Sequence, residues 1–200
     1  TANVVNGCSV VSPGCTNCYA MRLAGTRMRS HPTRAGLTRD SKAGPVWTGE
    51  VRFHEPALQQ VLRWTKPRMI FWNAHGDLFH ENVPDEWIDR CFAVMALTPQ
   101  HKHQVLTKRP ERMREYVRKN MTNGCGLDRV LGNEMLGEYN RACREGRRLP
   151  PFALPLPNVW LGVSVEDQQR ADERIPILID TPAAVRWLSM EPLLGNVALD

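Results

Sequence analysis

Met69-Ile-Phe-Trp-Asn-Ala-His-Gly-Asp77 is the stretch on which the fold turns. Four apolar residues followed at once by a polar, glycine-bearing tail read as a short buried strand running into a loop. The same unit recurs downstream. Lys102-His-Gln-Val-Leu-Thr107 runs into Lys108-Arg109-Pro110, and Val159-Trp-Leu-Gly-Val-Ser164 runs into Glu166 and Asp167. Ala184-Val-Arg-Trp-Leu-Ser189 runs into Met190-Glu191-Pro192. Helical spacing of apolar residues fills the intervals: 84–97 with Trp87, Ile88, Phe92 and Met95, then 111–119, then 167–178. Upstream, 54–64 (Leu58, Val61, Leu62) and 19–29 (Ala20, Leu23, Ala24, Met28) carry the same period. Short apolar strands alternating with helices predict a parallel α/β sheet or barrel. In such folds the polar residues just past each strand face the ligand. That rule selects His75 to Asp77, Thr107 to Arg109, Ser164 to Asp167, and Ser189 to Glu191.

Two hundred residues suit one domain spanning 1–200. The rhythm breaks over about 120–157, where Asn123-Gly124, a short helix near 128–145 and Pro150, Pro151, Pro155 and Pro157 suggest an insertion or extended connection. No run nears the roughly 18 apolar residues of a membrane helix, and Thr1-Ala-Asn-Val-Val-Asn lacks the basic-then-apolar pattern of a secretion signal. A reducing cytoplasm is therefore the expected setting. The net charge of +5 permits a polyanionic partner. Residues 30–49, with Arg27, Arg29, Arg34, Arg39 and Lys42 in or beside them, read as a polar surface loop. It is either a solvated connection or a basic flap over an anionic substrate.

Cys8-Ser-Val-Val-Ser-Pro-Gly-Cys15-Thr-Asn-Cys18-Tyr19 concentrates three thiols on one turn-forming loop. Cys125 and Cys143 are scattered, and Cys91 sits in the apolar run 91–97 as a small buried hydrophobe. Clustered thiols in a reducing compartment bind metal. Three thiolates suit an iron–sulfur cluster with one open iron. With His75 or His80 as a fourth ligand they suit zinc, although the spacing matches no standard zinc finger. The loop precedes the helix at 19–29, whose free N–H groups favour thiolates. Two functions follow: a cluster-dependent enzyme, or a zinc-stabilised, non-catalytic nucleic-acid-binding module.

Several blocks carry a resemblance when taken together. They are Gly7-Cys8-x6-Cys15-x2-Cys18-Tyr19, Gly76-Asp-Leu-Phe-His-Glu81, Leu106-Thr-Lys-Arg-Pro-Glu-Arg-Met113, Trp160-Leu-Gly-Val-Ser-Val-Glu-Asp167 and Glu191-Pro-Leu-Leu-Gly195. The chain resembles a phage-associated radical-SAM-like family of uncharacterised proteins, within the radical S-adenosylmethionine superfamily. That resemblance implies a partial (β/α)6-type parallel barrel whose last strand–helix unit is missing, since the family pattern continues past the equivalent of Asp200. It implies a [4Fe–4S] cluster on Cys8, Cys15 and Cys18 that reductively cleaves S-adenosylmethionine to a 5′-deoxyadenosyl radical. A reductant such as flavodoxin or ferredoxin would supply the electron, in the cytoplasm of a bacterium or a phage-infected host. The implied cofactor contacts are Tyr19, Asn73, His75, Gly76, Asp77, Ser164, Glu166 and Ser189. Asp77 would accept from the cofactor ammonium, and Ser164 and Glu166 would meet its ribose or carboxylate. Lys108 and Glu191 are the implied catalytic pair, with Lys108 and Arg109 placed to neutralise a carboxylate or an anionic substrate. The cysteine spacing departs from the wider superfamily, being six then two residues instead of three then two, with Asn17 where an aromatic is usual. A nucleic-acid substrate, DNA or RNA, is the expectation drawn from the basic loop and the phage association.

Overall fold

The computed structural model describes residues 1–120 and 154–199. In chain order the strands are β1 (Val5–Asn6), β2 (Thr38–Ser41), β3 (Gly44–Trp47), β4 (Arg52–Phe53), β5 (Met69–Trp72), β6 (Lys102–Thr107), β7 (Val159–Ser164) and β8 (Val185–Ser189). The helices are α1 (Tyr19–Gly25), α2 (Glu55–Arg63), α3 (Asp85–Leu97), α4 (Pro110–Asn120) and α5 (Gln168–Ile179). The short helix expected near 128–145 lies outside the described residues, as does most of the connection expected at 120–157.

Strands β5 to β8 form one parallel sheet in sequence order, with Trp72 opposite Val105, Val105 opposite Leu161, and Ser164 opposite Ser189. This is the α/β arrangement that the apolar strand runs predict. Alternation along β6 sorts the two faces. His103, Val105 and Thr107 are buried, while Gln104 and Leu106 are only half-buried. The fully covered face carries Ile70, Trp72, Val105, Leu161 and Val163, in one apolar cluster with Ile88, Phe92 and Met95 of α3 and Met113 and Val117 of α4. Each such side chain contributes roughly 1.5–3 kcal/mol on burial. That is why the strand cores read so clearly. Helix α5 starts on Asp167, whose carboxylate accepts from the Arg170 N–H at 2.9 Å, a cap of about 1 kcal/mol.

The start of the chain escapes the sequence reading: β1 pairs antiparallel with β4, and isolated bridges at Ala2–Trp72 and Gly7–Gly76 tie the segment around it to the edge of β5. Residues 2–7 run parallel to β5: the Ala2 N–H donates to the Phe71 carbonyl, the Asn73 N–H to Ala2, and the Gly7 N–H to His75, at 2.8–3.0 Å. The ladder is interrupted by Asn73, whose φ of +57° turns its side chain into the gap. There its Oδ1 accepts from the N–H groups of Val4 and Val5 at 3.0 and 2.8 Å. Cys8 therefore follows a segment that runs alongside β5. The first turn of this alternation is too short and too polar at its ends to stand out.

The expected loop at 30–49 needs correction. Thr38–Ser41 and Gly44–Trp47 pair as an antiparallel hairpin around Lys42-Ala43. Its outer strand is polar and exposed, so no alternation betrays it. What holds it is a separate apolar nucleus of Ala20, Met21, Ala24, Leu37 and Trp47, with Cys8 and Cys18 packed at its edge. Helix α1 is also shorter than its period suggests: it stops at Gly25 because Thr26 leaves helical backbone angles (φ −122°, ψ −96°). Among the described residues no helix is long and apolar enough to cross a membrane.

Candidate active site

The half-buried face of the sheet opens into a cavity of about 880 Å³. Its floor is Phe71, Gln104, Leu106 and Trp187, from β5, β6 and β8. Gly162 of β7 lies beneath Trp187: a Cβ there would stand 2.5 Å from the indole, so only glycine lets the ring lie across the strand. The rings of Phe71 and Trp187 meet edge to face at 6.3 Å. The strand ends supply Asn73, Gly76, Asp77, Thr107, Lys108 and Arg109, and on the other side Ser164, Ser189 and Glu191. The opposite wall is the cysteine loop itself, with Cys8, Cys15, Cys18 and Tyr19.

Two charge networks fasten that loop to the sheet. In the first, the fully buried Glu166 accepts from the Ser12 hydroxyl at 2.8 Å and from Arg174 Nη1 at 2.9 Å, and pairs closely with Lys108 Nζ. Gly14 permits this approach, since a Cβ there would lie 2.4 Å from the Glu166 side chain. In the second, Arg109 reaches Asp77 at 3.1 Å, Glu81 at 2.6 Å, the Ser9 hydroxyl at 2.6 Å and the Cys8 sulfur at 3.7 Å. The two serines so held lie between the first two cysteines. Buried networks of this kind fix geometry when every member is satisfied. The 3-10 turn Pro13–Cys15 and the Cys18 N–H donating to Cys15 O at 3.2 Å complete the loop, and Cys18 is the N-cap residue of α1.

The Cys8 and Cys15 thiols differ. Burial, reinforced by the Asp77 charge, pushes the Cys8 thiol up to about 12, and Arg109 offsets only part of this. Burial also acts to raise Cys15, but hydrogen bonds from the backbone at Val11 and Ser12, the Ser12 hydroxyl and the Lys108 charge bring it below the usual thiol value. Burial lowers Lys108, against the pull of Cys15. For Glu81, burial opposes ionisation but the Arg109 hydrogen bond outweighs it, holding the carboxyl near 2.

A family described as a protein of unknown function, DUF5131, matches residues 1–200. The chain belongs to the DUF5131 family. No curated protein and no solved structure matches it.

Within this DUF5131 chain, nine of the eleven residues expected from resemblance to contact cofactor or substrate or to bind metal line the single cavity just described, on the wall, floor or strand ends already given. Those are Cys8, Cys15, Cys18, Tyr19, Asn73, Gly76, Asp77, Ser164 and Ser189. The expected catalytic pair, Lys108 and Glu191, lines it too. Two do not. His75 turns aside and accepts from Arg34 Nε at 3.2 Å, while burial and the Arg34 charge keep its ring neutral. Glu166 lies behind the wall, its carboxylate taken by Ser12, Lys108 and Arg174, which leaves nothing for a ribose. Asp77 lines the cavity but is also occupied: it accepts from the Phe79 and Lys108 N–H groups, the Thr107 hydroxyl and Arg109. Its place in the DUF5131 fold is that of a strut between β5 and β6. Arg174 and Ser12, which hold Glu166, carry no sequence signal of their own. His80, the other histidine considered as a fourth zinc ligand, is fully buried with its Nε2 3.1 Å from the Ser9 hydroxyl.

Whether this DUF5131 site fits an iron–sulfur cluster rests on its donors. Among the described residues no group of three His, Cys, Asp or Glu side chains is close enough to hold a metal as placed. Ligation therefore requires the thiols to turn toward one another. The donor chemistry fits: three soft sulfurs, no competing carboxylate in the loop, and cations at Lys108 and Arg109 to balance thiolate charge.

Proposed function

We propose that this DUF5131 protein is a radical S-adenosylmethionine enzyme built on a partial (β/α)6-type barrel. The observation that carries the reading is that Cys8, Cys15 and Cys18 share one cavity with the strand-end residues of β5 to β8. The bridges of Ala2 and Gly7 to the edge of β5 are consistent with that barrel, since the chain then enters the cysteine loop alongside the sheet. The three cysteines would hold a [4Fe–4S] cluster. When bound, that cluster supplies an electron, taken from flavodoxin or ferredoxin, for reductive cleavage of S-adenosylmethionine and so for hydrogen abstraction from a substrate.

The chain's own part is placement. Glu166 and Arg109 hold the loop at Ser12 and Ser9, so the sulfurs are presented from a fixed backbone. Lys108 Nζ pairs with Glu166, and its charge would offset that of a Cys15 thiolate. Asp77 orders the β5 and β6 ends instead of meeting a ligand ammonium. Ser164, Ser189 and the exposed Glu191 are left to bind or to move a proton. Phe71, Leu106 and Trp187 exclude water from the floor. DNA or RNA is the proposed substrate class.

Metal content decides the reading. Purified without oxygen, the protein is expected to be brown, with about four irons and four sulfides per chain, and to bleach with dithionite. Cys8→Ala, Cys15→Ala and Cys18→Ala should each lose the colour while keeping far-ultraviolet circular dichroism, because none of the three belongs to the main core. A colourless protein that holds zinc and refuses iron would overturn the proposal and leave the zinc-stabilised module.

A further inference from the structure

The charge of this chain is not spread evenly. Residues 19–49, which comprise α1 and the β2–β3 hairpin, hold six Arg and Lys against one Asp, an excess of five. That equals the net charge of the whole chain, so the rest of the sequence is neutral in sum. Within the segment Arg34 is buried on His75 and Arg29 pairs with Asp40 at 2.9 Å. Arg22, Arg27, Arg39 and Lys42 are exposed and make no ion pair with another described residue. A neutral body with one basic cap presents a directed field, which a merely solvated surface has no need of.

The same segment forms a wall of the cavity through Ala20 and Trp47, and Tyr19 stands at its lip with 64% of its surface exposed. The Tyr19 ring is held there by its hydroxyl, which donates to Ala74 O at 2.8 Å. The cavity floor is aromatic, and two of its donors, Asn73 Nδ2 and Trp187 Nε1, are buried without a partner among the described residues. Both are screened as placed, so an acceptor-rich ligand reaches them only with a small side-chain turn. A volume of about 880 Å³ suits small groups and is far too small for a duplex. A base paired inside a helix cannot enter; an unpaired or extruded one can.

We propose that the basic cap binds a single strand of nucleic acid, its phosphates on the exposed cations of α1 and the hairpin and one base turned past Tyr19 into the cavity. This deepens the reading of the cavity as the reaction site and rests on it. Cations tracking a backbone beside an aromatic platform are the general means of holding a single strand without reading its sequence. The cap supplies affinity, and the cavity supplies the requirement that the base be unpaired.

The test is fluorescence anisotropy on the full chain with labelled single-stranded DNA and RNA, the matching duplexes, and free nucleoside monophosphates as competitors, at low and moderate salt. Single strands should bind about tenfold or more tighter than duplex, and the affinity should fall as salt rises. The double variant Arg39→Glu, Lys42→Glu should weaken binding about tenfold for every sequence and flatten the salt slope by about two. Tyr19→Ala should cost about tenfold for single strands and little for duplex. Equal affinity for duplex overturns the proposal. So does binding of mononucleotides with no gain from a longer strand, or the absence of salt-sensitive binding. The assay needs no metal, and iron content on the same preparation reports separately on the cluster.

Discussion

The sheet and the cap are held by different physics. The sheet with α3 to α5 is closed by apolar burial: side chains such as Ile70, Ile88, Met95 and Met113 are all but inaccessible to solvent. The cap over residues 8–49 has a nucleus of only five buried apolar residues. It is joined to the sheet through directional bonds, Ser12 to Glu166, Ser9 to Arg109 and Tyr19 to Ala74. Apolar burial is strong but poorly directional. Charge-assisted hydrogen bonds contribute less net energy and fix angles. On the proposed reading, a fold that aims three thiols at one cluster gains more from the second kind. The cap is thus oriented by the sheet more than it is stabilised by itself.

The sharpest way to break this comparison is at Glu166, which belongs to both halves. Replacing it with Gln leaves Lys108 and Arg174 without their buried counter-charge and weakens the Ser12 contact. Removing one member of a buried ion pair costs about 3 kcal/mol or more. The expected result is a urea midpoint lowered accordingly, with the cysteine loop more open to proteolysis than the sheet. An unchanged midpoint would mean that the cap sits on the sheet without this bond and that the two halves are fastened elsewhere.

How much of this was legible follows the same division. The runs at 69–72, 102–107, 159–164 and 184–189 declared themselves because burial on a parallel sheet demands apolar residues in sequence. The strand ends, and so most of the cavity, followed from topology. The hairpin at 38–47 was hidden, since its stabilising residues Leu37 and Trp47 lie at its margins and the strand between is Thr-Arg-Asp-Ser. The alignment of residues 2–7 beside β5 was hidden because it is made by isolated bridges and by the Asn73 side chain instead of a continuous ladder. Glu166 is expected to face the ligand because it follows a strand, and the resemblance makes it a cofactor contact. Rotation of one side chain to the other side of the backbone decides between ligand and strut, and no residue pattern records that choice.

A smaller effect sharpens the account of the sheet. His103 lies beneath β6 with no solvent access, accepting at Nδ1 from Trp72 Nε1 at 3.1 Å, with Nε2 3.1 Å from the Thr98 hydroxyl. The Thr98 hydroxyl donates to Val94 O, so the ring is neutral with its proton on Nε2. Burial, only partly opposed by the Thr98 backbone, lowers it to about 3. In the unfolded chain it titrates near the ordinary value of about 6.5. The neutral form is thus favoured by folding, and no stability is lost above the unfolded value. As pH falls from about 6.5 toward 3, the unfolded chain takes up the proton first, and stability drops by up to about 1.4 kcal/mol per pH unit. His103→Gln should remove that part of the slope between the two values. Other buried histidines contribute in the same sense, so the difference between the two curves of unfolding free energy against pH is what is compared. Parallel curves would place His103 in contact with water.

The smallest effect tests whether the cap is a unit of its own. Trp47 is buried, but in the nucleus with Met21, Ala24 and Leu37 and not in the main core. In a single cooperative core, truncating a buried tryptophan costs about 3–5 kcal/mol. If the cap opens independently, most of that loss is confined to a local equilibrium, and the global transition falls by only about 1 kcal/mol or less. Trp47→Ala is therefore expected to speed amide exchange across α1 and the β2–β3 hairpin while leaving β5 to β8 protected. Hydrogen exchange read by peptide mass spectrometry separates the two outcomes. Even loss of protection in cap and sheet together, with a drop of the full size, would show one cooperative body. The hydrogen bonds through Ser9 and Ser12 would then transmit stability as well as direction. Selective loss in the cap would mean that the thiols sit on the part of the molecule that opens first. On the proposed reading, a cavity that admits both a cofactor and a substrate needs such a wall.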